Sequence, residues 1–279
     1  MSFVTPAVKV KYLTNKDLLD GIHNSKKTYS SYADKKYSDY DIIVTDLEIV
    51  TDEVLEATRL KKINAIISTM KKELIQQGQK NPTVELDVNT IPLDTIVVRV
   101  MTWSHIPPDL IKNVSGKTEN EKHSKVNFPP FQHWIKTNGI WICVGKSHWK
   151  GELDTGHFSI DHGKMTNLLA IMLMKLVDRY SRRGNWRSYT YLDEMKGQAL
   201  MHLSQVGLKF DESRSSVPNP FAYYSTLLEN SFRRIVNLEK RNQNMRDDLL
   251  TMAGMTPSYN RQIDSEIAQK IENLTDKTP

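Results

Sequence analysis

TNLLAIMLMKLVDRYSRRGNWRSYTYLDEMKGQALMHLSQVGLKFDESRSSVPNPFAYYSTLLENSFRRIVNLEKRNQNMRDDLL, Thr166 to Leu250, reads as three consecutive amphipathic helices. The first runs from Thr166 to about Arg183, with Leu169, Met172, Leu173, Leu176 and Tyr180 at three- and four-residue steps behind a threonine cap. The second spans Leu192 to Gly207, where Leu192, Met195, Ala199, Leu203 and Val206 form the apolar stripe and Gly207 offers a stop. The third opens at Asn219-Pro220, a cap followed by a proline in the first turn, and carries Phe221, Tyr224, Leu228, Phe232 and Ile235 on one side. Beyond Ile235 it turns polar and basic. The chain is therefore expected to be mainly α.

Basic and aromatic residues interleave along this stretch. Arg179, Arg182, Arg183, Trp186, Arg187, Tyr189 and Tyr191 lie between the first two helices, and the third adds Tyr223, Tyr224, Arg233, Arg234, Lys240, Arg241 and Arg246. Guanidinium groups pair with phosphates and aromatic faces stack on any base, a combination suited to single strands or melted duplex. The same residues have a plain structural reading. An aromatic at helical spacing is usually core, which assigns Phe221, Tyr224 and Phe232 to the interior, and an arginine run is usually a solvated face. Tyr223, Trp186 and Tyr189 lie off the apolar stripe and are the better stacking candidates.

The order and wording of these helices resemble region 2 of bacterial sigma factors, and most closely the late-transcription sigma factors of large tailed phages. A helix ending in Tyr180-x-x-Arg183 leads to YLDEMKGQAL (191–200), GLKFDE (207–212) and NPFAY (219–223) with a basic continuation, about 85 residues in all. The short YLTNKDLL (12–19) also resembles the opening of the phage late factors.

The resemblance implies that the second helix docks on the coiled coil of the host RNA polymerase clamp, placing Glu194, Gly197, Gln198 and Leu200 in that contact. It implies that the following helix recognises the upstream melted element of a promoter and captures non-template bases on Tyr223 or Tyr224. With the phosphate candidates, the expected DNA-facing set is Arg182, Arg183, Trp186, Arg187, Tyr189, Arg214, Tyr223, Tyr224, Arg233, Arg234, Lys240 and Arg241. Where housekeeping factors carry a tryptophan pair that wedges the duplex open, this chain has Thr226-Leu227 or Leu227-Leu228, depending on register. The phage late factors lack that pair too, and leucine can serve as an apolar wedge between base steps. A late co-activator and a sliding clamp are further partners of such factors. The tail IENLTDKTP (271–279) has no aromatic of the clamp-engaging kind.

Composition is compatible with this reading. The 279 residues include 38 Lys and Arg against 33 Asp and Glu, a formal charge of +5, mild for a nucleic-acid binder but adequate for a factor held on DNA by a larger enzyme. The single cysteine, Cys143, excludes an internal disulfide framework and fits a reducing host cytoplasm. No apolar run approaches a membrane span, and the N-terminal MSFVTPA is too polar for a signal peptide. Only about 29 residues follow Leu250, too few for a helix-turn-helix domain.

Outside the decisive stretch, residues 1–80 read as an N-terminal helical segment. It has a capping box at Thr14 to Asp17, a charged helix near Asp52 to Gln77, and a polar stretch from Lys26 to Asp41 between them. Residues 81–165 read as a small α+β insertion ahead of the helical module at 166–250, with a tail at 251–279. Within the insertion Val84 to Val88 alternates, Thr95 to Thr102 and Ile140 to Val144 look like strands, and Lys112 to Lys125 is expected to form a loop.

The insertion also carries the chemistry of two other function classes. Gly145-Lys146-Ser147 after a strand suggests a phosphate-binding loop, but Gly139 precedes Gly145 by five intervening residues, Trp141 and Ile142 are too bulky for such a loop, and no helix pattern follows. His133, Cys143, His148, His157 and His162 offer zinc donors without the close spacing of a structural motif, and Asp154, His157 and Asp161 lack any fixed geometry. No catalytic residue, metal or cofactor is assigned. The alternatives to a sigma factor are a metal- or nucleotide-dependent enzyme built on the insertion, and an RNA-binding or scaffold protein.

Overall fold

The computed structural model describes residues 13–78, 82–84, 86–87, 90–108 and 125–275. Its helices are α1 (Asn15–Lys27), α2 (Asp52–Gln76), α3 (Asn167–Ser181), α4 (Leu192–Val206), α5 (Pro220–Met252) and α6 (Tyr259–Thr275). Its strands are β1 (Ser30–Tyr32), β2 (Ile42–Val44), β3 (Val98–Met101), β4 (Phe131–Thr137), β5 (Ile140–Ser147), β6 (Trp149–Lys150) and β7 (His157–Phe158). The fold is mixed α+β with helix predominating. The chain divides into two compact units, residues 1–176 with 202–224, and residues 177–201 with 225–279.

The first unit is built on a five-stranded sheet in the order β1-β5-β4-β3-β2, antiparallel except for the β2–β3 pair. The β4–β5 hairpin closes through Asn138 and Gly139 at φ of 51° and 79°, the left-handed pair that a two-residue turn needs to match strand twist. Strand alternation gives the sheet two buried faces. On one, Val98 and Val100 pack with Val50, with Leu55 from the start of α2 and with the half-buried Trp134. On the other, Val97, Ile135 and Val144 pack under Tyr37 and Tyr40, and the cross-strand pair Arg99 and His133 points the same way by register.

The Thr14–Asp17 capping box forms as the sequence predicts, with Thr14 N 2.9 Å from the Asp17 carboxylate. α1 buries Leu18, Ile22 and Lys26, four residues apart on one face. Gly21 lets α3 approach closely, since a Cβ there would meet the Leu169 side chain at 3.3 Å. The hydroxyl of Ser25 accepts from Thr166 N at 3.0 Å, tying α1 to the start of α3.

In the second unit Phe232 of α5 meets Tyr180 and Trp186 edge-on, each with ring centroids 5.4 Å away, beside buried Leu228, Ile235 and Val236. At the turn from α5 to α6 the buried Asp247 carboxylate accepts from Ser258 N at 2.9 Å and Ser258 Oγ at 2.6 Å.

The three helices expected between 166 and 250 appear within a residue or two of their expected starts, and Asn219 caps α5 by accepting from Ala222 N at 3.0 Å. The strands are spread more widely along the chain than expected. β1 and β2 come from residues 30–44, inside the expected helical segment, and form both edges of the sheet, so the sheet is not an insertion confined to 81–165. Three-residue edge strands carry too little alternation to stand out in a Tyr/Ser/Lys/Asp-rich stretch. Nor is 166–250 a separate body, because the first half of α3 and residues 202–224 belong to the unit that holds the sheet. The expected tail contains α6. The alternating Val84 to Val88 shows no strand at its described positions, and positions 85 and 88 lie outside the described residues, as does the polar stretch up to residue 124.

Candidate nucleic-acid and partner interfaces

The opening of α5, where the base-capturing aromatics are expected, rests on a buried ionic network. Lys26 Nζ, on the apolar face of α1, lies 2.8 Å from Glu212 Oε1 and donates to the Phe210 carbonyl at 2.7 Å. His23 Nε2 approaches the same carboxylate at 3.2 Å, and Arg99 Nη1 stands 4.0 Å from its other oxygen. Burial opposes ionisation of Glu212, but Lys26, then His23 and Arg99, outweigh it and hold the carboxyl well below the usual carboxylate range. Burial likewise pulls the Lys26 ammonium down while Glu212 pushes it back up. Such a pair persists only because each charge is met by the other and by further hydrogen bonds.

Arg99 is itself sandwiched between the rings of Tyr40 and Phe131, at 3.8 and 3.9 Å from their centroids. Its Nε donates to His133 Nε2 at 3.0 Å, and His133 Nδ1 donates to the Tyr37 carbonyl at 2.7 Å. That arrangement uses the neutral imidazole, consistent with a pKa held well below the ordinary value by burial and by Arg99.

Phe210, whose carbonyl Lys26 holds, turns its ring onto Tyr223 with centroids 5.5 Å apart. The Tyr223 hydroxyl donates to the Val206 carbonyl at 2.9 Å, and burial pushes that phenol up to about 12. Tyr223 is thus half-buried and tethered, rather than a free ring facing outward. Tyr224 is fully buried and donates to the Gly207 carbonyl at 2.8 Å, so it cannot receive a base without local unfolding. The ring left open is Phe221, 37% exposed, with its backbone N donating to Asn15 Oδ1 of α1 at 3.1 Å. Helical periodicity assigned Phe221 to the core, but in the first turn of a helix the stripe extends past the residues that would cover it.

Trp186, expected as a stacking residue, is only 7% exposed and forms core against Phe232 and Tyr180. It lies in the irregular turn after α3, where no periodicity indicates which way a side chain points. Tyr189 is half-buried between Trp186 and Tyr191.

The basic candidates lie outside the core. Arg182, Arg183, Arg187, Arg214, Arg233, Arg234, Lys240 and Arg241 are all exposed. Arg182, Arg214 and Arg233 make local ion pairs with Asp178, Asp211 and Glu229, and Arg183 lies over the Tyr180 ring at 4.2 Å. Exposed pairs of this kind are worth little and exchange readily for a phosphate. Arg234 and Arg241, two turns apart on α5, line an open groove of about 330 Å³ with Asn237 and Leu238.

On α4, Glu194, Gly197, Gln198 and Met201 are exposed at successive steps of three, one and three residues, while Leu200 is half-buried and Met195 and Ala199 are fully buried on the opposite side. Beyond the helix's own neighbouring backbone, no atom lies within 4 Å of where a Gly197 Cβ would stand, so a partner backbone can approach the helix closely there.

Gly145, Lys146 and Ser147 are the last three residues of β5, all paired with β1 and the first two also with β4, and do not form a loop. A Cβ at Gly145 would stand 2.6 Å from the Tyr32 ring, and Ser147 is fully buried with its hydroxyl accepting from Phe131 N. Lys146 donates to the Leu153 carbonyl, and His148 is fully buried. Among the described residues no three of His, Cys, Asp and Glu gather as metal ligands, and no helix is long and apolar enough to cross a membrane.

Lys26, Arg99, His23, Glu212 and Phe221 were missed as site residues from sequence. A signal existed for Lys26, a cation four residues beyond Ile22 and eight beyond Leu18 on an otherwise apolar face. No protein-family model, curated protein or solved structure matches the chain.

Proposed function

We propose that the chain is a late-transcription sigma factor of the phage type. It binds the host RNA polymerase core through the exposed face of α4 and directs the enzyme to late promoters by recognising and melting an A/T-rich upstream element. The observation that carries this reading is the α4 face itself. Glu194, Gly197 and Gln198 present a polar strip with an open glycine at its centre, flanked by the exposed apolar Met201 and the half-buried Leu200, on the helix whose sequence resembles the polymerase-docking helix of sigma region 2. Helix packing against a coiled coil favours such a small residue, because it lets the two backbones approach.

At the opening of α5, Phe221 and the half-exposed edge of Tyr223 offer the stacking surface, and the exposed cations of α5 serve as phosphate contacts. Bond making belongs to the polymerase, and this chain supplies recognition and strand capture. The partners are host polymerase core and promoter DNA, with a late co-activator and sliding clamp as further candidates, in the host cytoplasm. The test is retention of purified protein on core polymerase, followed by transcription and permanganate footprinting of thymines on a short A/T-rich promoter. A protein that neither binds core polymerase nor alters the footprint is not a sigma factor.

A further inference from the structure

The two ends of α1 hold the two segments that build the promoter-opening turn. At its first residue Asn15 Oδ1 accepts from Phe221 N at 3.1 Å, in the first turn of α5, where a helix leaves backbone donors without intrahelical partners. Near its last turn Lys26 donates to the Phe210 carbonyl at 2.7 Å and pairs with Glu212 at 2.8 Å. Between these anchors Phe210 leans on Tyr223, and Tyr223 and Tyr224 are tied to the Val206 and Gly207 carbonyls. α1 is fixed in turn to α3 through Ser25, and its Lys26–Glu212 pair lies against Arg99 of the sheet.

We propose that Asn15, Lys26 and Glu212 are positioning residues for promoter opening: α1 is a two-point clamp that presets the aromatic turn at 210–224 in its strand-capturing geometry. This rests on the reading of the chain as a sigma factor. A preset turn captures a flipped base without first ordering itself, so its contribution falls on the melting step rather than on polymerase binding. A buried charged pair suits that role, because directional contacts fix one geometry where apolar packing tolerates several.

The experiment uses the full chain with core polymerase. It compares wild type with Asn15→Ala, with Asn15→Asp, which keeps the acceptor, and with Lys26→Met/Glu212→Leu, which replaces the buried pair by apolar groups and leaves Arg99 with its Tyr40, Phe131 and His133 contacts. Retention on core polymerase is expected to stay within about twofold of wild type, since none of the substituted residues is among those assigned to the docking contact. Opening of a duplex promoter, read by permanganate, should fall about tenfold in the double variant and about threefold in Asn15→Ala, the scale of one or two lost positioning contacts. Asn15→Asp should recover most of the loss, and a promoter carrying a pre-melted bubble should erase the differences.

Unchanged duplex opening in Asn15→Ala overturns the clamp, as does an equal loss on duplex and pre-melted promoters. If the double variant is unfolded by circular dichroism, the comparison of Asn15→Ala with Asn15→Asp decides. Failure of the wild-type chain itself to bind core polymerase overturns the sigma reading instead.

Discussion

Lys26 and Glu212, 186 positions apart in the chain, meet at 2.8 Å with each side chain only 1% exposed, and this contact joins α1 to the turn that precedes α5. Removing one partner strands the other in a medium that solvates charge poorly. Lys26→Met should therefore destabilise the first unit by about 3–5 kcal/mol, at the lower end because His23 and Arg99 still face the carboxylate. Lys26→Met/Glu212→Leu should recover only part of that loss, because it leaves Arg99 buried without its carboxylate. Urea unfolding followed by tryptophan fluorescence measures both, and a single variant as stable as wild type would show the pair to be energetically idle.

Acid should unfold the sheet unit in a window set by its buried histidines. Burial pulls His105 down to about 4 and His148 to about 3, and His133 lies well below its ordinary value. Each stays neutral in the folded protein while the unfolded chain takes up a proton below about pH 6.5. Stability is thus complete above that pH and declines as pH falls toward 4, with a slope approaching about 4 kcal/mol per pH unit if all three contribute. Glu212, whose folded pKa is depressed, adds a further loss below the ordinary carboxylate range. The check is the urea midpoint between pH 7 and 4.5. His148→Phe, in a site where the imidazole already lies 4.1 Å from the Phe128 ring centroid, should flatten the slope.

The helical half of the molecule was legible in the sequence and the sheet only in part: the strands expected in Thr95 to Thr102 and Ile140 to Val144 are β3 and β5, whereas β1, β2 and β4 were missed. α3, α4 and α5 announce themselves by long periodic stripes with caps at Thr166 and Asn219, and those features are local. β1 and β2 exist only because β5 and β3 lie beside them, and β4, FQHWIKT, hides its alternation behind Gln132 and His133, which are buried polar residues. The candidate site divides the same way. The α4 face and the exposed cations of α5 follow from helical phase, whereas the roles of Trp186, Phe221 and Glu212 depend on which distant residue covers each one, and single-chain periodicity carries no record of that.

The α4 face separates stability from binding at one position. Gly197 stands in open space in mid-helix, so Gly197→Ala should raise stability by up to about 1 kcal/mol through helix propensity alone. Gly197→Arg should keep the fold but block close approach of a partner backbone and weaken retention on core polymerase. Glu194→Lys with Gln198→Ala should weaken it too, with unchanged far-ultraviolet circular dichroism. Wild-type retention by both would remove this face from the polymerase contact.

Four aromatics sort by what covers them. Trp186→Ala and Tyr224→Ala should each cost about 3–5 kcal/mol of stability, because both rings are core. Phe221→Ala, on an exposed ring, should cost less than about 1 kcal/mol of fold stability. In the presence of polymerase it should nonetheless lose about 1–3 kcal/mol of open-complex stability if the ring stacks a captured base. Tyr223→Phe removes the hydroxyl tether to Val206 and keeps the ring, so it isolates positioning from stacking. Permanganate reactivity of promoter thymines should drop in Phe221→Ala, drop less in Tyr223→Phe, and return in Phe221→Trp, which restores a stacking surface. A footprint unchanged in Phe221→Ala but lost in Tyr223→Ala would return the capturing role to Tyr223 and require its ring to leave Phe210 when DNA binds.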